Sequence, residues 1–102
     1  MAVTTMQGLT PTISIIVPSD VDLTEAENVY PSIKQNNTLI IPATFDVQAH
    51  QCDIYLSQEE TLRLEQGRAE IQINWVFSTG QRCATVPQEL KVMRNHILEV
   101  LT

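Results

Sequence analysis

Apolar and polar side chains alternate from Ala69 to Trp75 in the stretch AEIQINWVF, residues 69–77, and this pattern constrains the fold more than any other. Successive side chains of a β-strand point to opposite faces, so strict alternation is typical of a half-buried strand. The apolar face consists of Ile71, Ile73, Trp75 and Phe77. The stretch therefore predicts a strand with one face in a hydrophobic core.

Other β-rich runs lie between turn signals. They are Thr10–Val17, Val29–Gln35, Thr38–Ile41, Cys52–Leu56 and Arg82–Val86, with a continuation at Leu90–Val92. Asn36-Asn37 tolerates positive φ, and Ser78–Gln81 contains Gly80, so both predict hairpin turns. Pro31 indicates an edge position or an irregular start for its strand. Residues 93–102 leave a last strand and a short helix open.

One short helix is predicted from SQEETLRLEQG, residues 57–67. Ser57 followed by Glu60 is the spacing of a capping box, which satisfies two backbone N–H groups at a helix start. The predicted helix runs from Gln58 to Glu65, with Gly67 as the left-handed residue after its end. Glu59 lies in the first turn, where the helix dipole favours negative charge. These carboxylates are thus interpreted as structural, not catalytic.

Many short strands with one minor helix predict an all-β fold, an antiparallel β-sandwich of about six to eight strands. The length of 102 residues suits one small domain. We expect residues 1–9 to form a flexible N-terminal segment and residues 10–102 to form the single β-sandwich domain.

The charge argues against two classes of partner. The formal net charge is −6, and the six Lys and Arg residues are scattered along the chain. Nucleic acids and anionic membrane surfaces both require clustered basic residues, so neither is an expected partner. The sequence also has no apolar run of membrane-spanning length and no signal-peptide pattern at its start. We expect synthesis and folding in a cytoplasm.

A metal site is considered at His50, Cys52 and Asp53, which form an H-x-C-D cluster. Cys83 and His96 could complete four ligands, but their spacing does not match the paired spacing of zinc sites. The two cysteines are interpreted instead as small buried hydrophobic residues on facing strands, both reduced.

A calcium loop is considered for SDVDLTEAEN, whose four acids are Asp20, Asp22, Glu25 and Glu27. Such a loop needs a glycine at its sharp turn, and this stretch contains none. The stretch is therefore expected to be a solvated turn region or a single helical turn.

Catalysis is not expected. The chain contains no nucleophile elbow, no phosphate-binding P-loop and no H-E-x-x-H helix. Its three glycines cannot build a phosphate-cradling loop. We therefore assign no catalytic residue, no cofactor-binding residue, no cofactor and no metal ligand, and we expect a protein that is not an enzyme.

Three aromatic residues could stack on a sugar if they were exposed together: Tyr30, Tyr55 and Trp75. Trp75 shares the apolar face of its strand, so a core position is favoured for it. A small ligand- or carbohydrate-binding module therefore remains the alternative function, and buried Trp75 and Tyr55 would argue against it.

Three segments in a fixed order resemble a family of small proteins encoded by phages and prophages of Gram-positive bacteria. The segments are DLTEAENVYPSIKQ, DIYLSQEETLRLEQG and AEIQINWVFSTGQRCAT, and the resemblance covers about residues 20–86. It implies a tail- or baseplate-associated structural module, similar to the immunoglobulin-like N-terminal domain of some baseplate proteins. Pro31 and Thr79 depart from the family pattern, where a β-former and an aspartate are usual. No functional residues are carried over.

The expected function is that of a non-enzymatic phage structural or assembly protein that contacts itself or other phage tail proteins. A homo-oligomer, or a monomer that oligomerises on its partner, is expected in the bacterial host cytoplasm during assembly, with the virion as an alternative location. Strand edges are the expected means of contact, because they present unpaired backbone groups. The runs Val29–Gln35 and around Leu39 carry only one charge, Lys34, and are expected to be weakly protected edges.

Overall fold

The computed structural model describes residues 3–102, which form nine strands, one α-helix and one turn of 3-10 helix. The strands are β1 Val3–Met6, β2 Thr12–Ile16, β3 Asn28–Gln35, β4 Thr38–Ile40, β5 Thr44–Gln48, β6 Gln51–Tyr55, β7 Gly67–Val76, β8 Arg82–Ala84 and β9 Gln88–Met93. The helix α1 spans Gln58–Leu62, and the 3-10 turn spans Leu23–Glu25.

The strands form two sheets that pack into a sandwich. The larger sheet has the order β1-β9-β7-β3-β4, and β8 also pairs with β7. The smaller sheet has the order β2-β6-β5. The predicted all-β sandwich with one short helix is confirmed. One pair departs from the antiparallel arrangement, because β1 runs parallel to β9.

Strand β7 forms the centre of the larger sheet. One of its edges carries β3, and its other edge carries β9 near Gly67 and β8 near Trp75. The inward side chains of β7 are buried as the alternation predicts, and Trp75 is 4% exposed. The smaller sheet covers them with Ile13, Ile15, Cys52 and Ile54. Each fully buried aliphatic side chain contributes about 1.5–3 kcal/mol to the stability of such a core.

Both predicted hairpin turns are present. Asn36 takes a φ of 52° between β3 and β4, a left-handed conformation that asparagine tolerates better than most residues. Gly80 takes a φ of 90° between β7 and β8, and its N–H donates to the Phe77 carbonyl at 2.9 Å. The N–H of Phe77 donates in turn to the Gln81 carbonyl at 3.0 Å, which closes the turn.

The capping box at Ser57 is confirmed, but the predicted end of the helix is wrong. Helix α1 stops at Leu62, and Gly67 is the first residue of β7, not the residue after the helix. Tertiary contacts end the helix early. Leu64 is buried in the core, and its carbonyl accepts from Gln7 Nε2 at 2.7 Å.

The backbone of Glu65, the residue after Leu64, is held by Gln35 of β3. Gln35 is buried, and its side-chain amide both donates to the Glu65 carbonyl and accepts from the Glu65 N–H, each at 2.7 Å. These two glutamine contacts hold the chain in a bend outside the helix where the sequence alone predicts helix.

Three further segments differ from the sequence-based expectation. Strand β1 lies within residues 1–9, the segment expected to be flexible, and Met1 and Ala2 lie outside the described residues. Strand β5 was not predicted, although Phe45 and Val47 alternate with polar neighbours. Residues 94–102 form neither a strand nor a helix. In the part of the chain that the structure describes, no helix has the length and hydropathy to cross a bilayer.

Candidate interaction surface

The residues considered for a metal site are held apart by the fold. Cys52 points into the core from β6, whereas Asp53 lies on the opposite, outer face of the same strand. His50 occupies the turn before β6, and its Nδ1 donates to the Val21 carbonyl at 2.6 Å. Cys83 belongs to the other sheet, and His96 follows β9. Within residues 3–102, no three His, Cys, Asp or Glu side chains are grouped so that they could hold a metal ion.

The two thiols have different surroundings. Cys52 is fully buried, as predicted, and burial, followed by the charges of Asp53 and Asp46, raises its pKa to about 11. The thiolate is the reactive form of cysteine, so Cys52 is a poor nucleophile at neutral pH. Cys83 is only half-buried, because β8 borders an open side of the sandwich. Both cysteines are free.

The outer face of the smaller sheet carries a polar network centred on Asp53. Its carboxylate accepts from Gln51 Nε2 at 2.6 Å, from Ser14 Oγ at 2.7 Å and from Gln48 Nε2 at 3.1 Å. The hydrogen bonds from Gln51 and Ser14 stabilise the charged form and lower the pKa of Asp53. All donors of the network are side chains of the same sheet, so it stabilises the pairing of β2, β5 and β6.

The three aromatic candidates do not meet. Trp75 is in the core, Tyr30 is exposed on the outer face of the larger sheet, and Tyr55 is half-buried on the outer face of the smaller sheet. The Tyr55 hydroxyl donates to Asp46 Oδ2 at 2.9 Å, and this hydrogen bond raises the pKa of Tyr55. A shared stacking platform for a sugar is therefore not formed by these side chains.

The acidic segment before β3 contains a single helical turn, as the sequence predicts. Asp22 caps the 3-10 turn, and its Oδ1 accepts from the Thr24 hydroxyl and from the Thr24 N–H at 2.9 Å. These hydrogen bonds lower the pKa of Asp22. Asp20, Glu25 and Glu27 are exposed.

One flank of the sandwich is protected against strand pairing. The Ile73 carbonyl accepts from Thr85 N–H at 2.9 Å, on the side of β7 away from β3. Pro31 lies opposite Ile73, so the backbone of Pro31 points away from β7 towards the free edge. Strand β4 stops at Ile40, opposite Ile33, so residues 28–32 of β3 have no strand beside them on this edge. Because proline has no N–H, this edge lacks a donor there.

The neighbouring strand β4 is also protected. Leu39 presents its backbone to the free side, and its carbonyl accepts from the Arg63 guanidinium at 3.4 Å. We call this side, with β3 up to Ile33 and β4, the closed flank. The expectation that these edges are weakly protected is wrong, because Pro31 and Arg63 protect them.

The opposite flank is not protected in this way. Leu56 N–H donates to the Pro11 carbonyl, and Val17 N–H donates to the His50 carbonyl, so the odd residues of β2 face β6. The backbone groups of Thr12, Ser14 and Ile16 therefore point to the free edge. The strand TISII contains no charged residue and no proline, and Ile16 is 70% exposed.

A groove of about 460 Å³ lies between the free edge of β2 and strand β8. We call β2, β8 and this groove the open flank. The groove is lined by Ile16, Pro18, Val21, Trp75, Cys83, Ala84, Thr85, Val86, Pro87 and Gln88, none of them charged. Val86 is 82% exposed, and the buried indole Nε1 of Trp75 has no hydrogen-bond partner in residues 3–102. The lack of charge in TISII was visible in the sequence, but the groove was not.

The scan against protein-family models and the search of the curated proteins both find no match for this chain.

Proposed function

We propose that this protein is a non-enzymatic structural or assembly module, associated with a phage tail or baseplate, that acts through protein–protein contacts. The open flank is the observation that carries the proposal. A strand with unpaired backbone groups and an apolar groove beside it is the arrangement that accepts an added strand from another chain.

The composition of the open flank supports self-association in particular. Natural proteins protect free edges with charges, proline or bulges, and the closed flank has two such devices. Strand β2 has neither charge nor proline along its five residues. An edge left without these devices favours regular pairing with another copy or with an assembly partner. A homo-oligomer, formed in the bacterial host cytoplasm and carried into the virion, is the assembly we propose.

The aromatic residues support protein contacts over carbohydrate binding. Exposed aromatics grouped on one face would favour a carbohydrate-binding module, but Trp75 is buried and Tyr55 is half-buried. Tyr30, the exposed member of the three, lies on the other sheet from Tyr55. The resemblance to phage proteins over residues 20–86 supports the same conclusion.

The test is the mass of the protein in solution as a function of concentration, measured by light scattering after size exclusion, alone and mixed with phage tail proteins. Ile16→Lys places a charge on the open flank and is expected to weaken association. Ser32→Lys places the same charge on the closed flank and is the matched control, expected to associate like the wild type. A protein that stays monomeric at all concentrations, alone and in every mixture, would refute the proposed function.

A further inference from the structure

We infer that the open flank of one copy binds the C-terminal segment of a second copy, residues 96–102, as an added strand. This inference rests on the proposed function and names its first partner. The contact is head-to-tail, because donor segment and acceptor groove lie on different parts of each copy.

The donor segment has the properties of an unpaired strand. Residues 96–102 belong to no sheet, and none of their backbone groups bonds to other backbone in the described part of the chain. Four apolar side chains of this segment are exposed: Ile97, Leu98, Val100 and Leu101. Exposed apolar side chains next to backbone groups that pair with no other backbone are stabilised when the segment pairs with a sheet edge.

A few side-chain hydrogen bonds hold this segment in place. Asn95, its root, donates from Nδ2 to the Gln7 carbonyl at 2.9 Å. Beyond the root, the Gln58 side chain donates to the Leu101 carbonyl at 2.9 Å and accepts from the Leu101 N–H at 2.8 Å. Both Gln58 bonds are solvent-exposed, so water can replace them when the segment leaves.

The acceptor offers backbone groups on both sides of the groove. Thr12, Ser14 and Ile16 present theirs from β2. Thr85 bonds Ile73, so by the alternation of an antiparallel ladder Arg82 and Ala84 present theirs from β8. An extended segment that enters the groove can thus pair with one edge while its side chains pack against the other.

Donor and acceptor match in polarity. In an extended segment, Leu98 and Val100 share one face, while Ile97, Glu99 and Leu101 share the other. The face with Leu98 and Val100 also carries His96 and Thr102 but no Asp, Glu, Lys or Arg side chain, and the groove lining has none either. With that face directed inward, Glu99 points to solvent and no charge is buried.

The segment of the same copy cannot fill the groove along its whole length. Asn95, at the start of the segment, is bound to Gln7, and the Gln7 N–H donates to the Met93 carbonyl. Met93 lies near the Gly67 end of β7, whereas the groove lies at Trp75. Eight residues of strand separate Gly67 from Trp75, about 26 Å at 3.3 Å per residue. The seven residues 96–102 span about 23 Å when extended, so they cannot reach along the groove as far as Trp75. A donor that fills the groove as far as Trp75 therefore comes from another copy, and such heterologous contacts build rings or filaments.

Single variants separate the two halves of the contact. Leu98→Asp puts a charge on the inward face of the donor and is expected to weaken association at least about tenfold, because the carboxylate would enter an apolar groove. Ile97→Asp is the matched control, since Ile97 and Leu98 are both 52% exposed but lie on opposite faces of an extended segment. Ile97→Asp is expected to associate like the wild type. Ile16→Lys is expected to block the acceptor.

The decisive experiment mixes two defective variants. Leu98→Asp retains an intact groove, and Ile16→Lys retains an intact donor segment. Each alone is expected to be monomeric, and the equimolar mixture is expected to form heterodimers that grow no further, seen as a doubling of mass by light scattering. A peptide of residues 94–102 added to Leu98→Asp is expected to shift the fluorescence of Trp75, the single tryptophan.

Other outcomes overturn the inference without touching the proposed function. Association abolished by Ile16→Lys but unchanged by Leu98→Asp would indicate symmetric pairing of two β2 edges. A protein that is monomeric alone but binds another tail protein would show that the groove serves a different partner. A protein monomeric alone and in all mixtures would refute both proposals.

Discussion

The two flanks of the sandwich are built from similar strands but differ in how their edges are protected. On the closed flank, Pro31 removes a donor from the free half of β3, and Arg63 bonds the free carbonyl of Leu39. On the open flank, β2 exposes its backbone groups without a charge or a proline. The difference is that a proline and a bonded arginine protect one side, whereas β2 on the other side carries neither device.

Helix α1 is part of the protection of the closed flank. Its capping-box residue Glu60 accepts from the Ser57 N–H at 2.9 Å through one carboxylate oxygen and from the Ala43 N–H at 3.0 Å through the other. Ala43 lies between β4 and β5, so the helix start is tied to that side of the sandwich. The helix end then presents Arg63 to Leu39. The helix therefore contributes one hydrogen bond to the protection of this edge.

The largest expected effect is at Trp75, which separates the core from the open flank. Trp75→Ala should destabilise the protein by about 3–5 kcal/mol, the range for emptying an aromatic core position. Urea unfolding measures the change. Trp75→Phe, which removes the unpartnered N–H but keeps a ring, should cost clearly less. A Trp75→Ala protein of nearly wild-type stability would show that Trp75 is not a core residue and that the groove is not backed by the core.

The thiols provide a chemical comparison of the core with the open flank. At neutral pH, native Cys83 should react with iodoacetamide at least about tenfold faster than Cys52, because the thiolate is the nucleophile and Cys52 is buried with a raised pKa. Mass spectrometry of digested samples over time gives both rates. Denatured protein, in which both sites should react at similar rates, is the control. Equal rates in the native protein would contradict the described position of β8.

A smaller effect is expected at the helix of the closed flank. Ser57→Ala should cost about 1 kcal/mol, because the N–H of Glu60 loses its capping acceptor. The free energy of unfolding in urea is the measurement. Ser57→Asp retains a capping oxygen and should recover most of the loss. No change in Ser57→Ala would mean that the box contributes nothing and that Arg63 is positioned by other contacts.

The smallest expected effect is on the protection of the closed flank itself. Pro31→Val restores a backbone N–H to the free half of β3 with a side chain of similar size and higher β propensity. The mass in solution should rise slightly above that of the wild type at the same concentration. Combining Pro31→Val with Ile16→Lys isolates the effect, since the open flank is then blocked. If the double variant associates no more than Ile16→Lys alone, Pro31 does not protect the free edge of β3.

Local pattern was sufficient for several parts of this protein. The alternation of residues 69–77 identified the central strand, because a period of two has one structural meaning in water. Asn36 and Gly80 identified both hairpins, and Ser57 with Glu60 identified the start of the helix, because backbone preferences and caps act within a few residues. These predictions depend on contacts that are short in sequence.

Only the tertiary structure decided the remaining features, because each depends on residues far apart in the chain. The helix ends at Leu62 because Gln35 and Gln7 hold the backbone that follows it. Strand β1 forms because it pairs with β9, and the partner of Val3, Leu90, lies more than eighty positions later in the chain. The groove at Trp75 combines β2 with β8 and the residues after it. The sequence by itself determined that the chain is a sandwich of short strands, whereas the packing of its two sheets decided which edge stays open, since protection depends on what lies beside each strand.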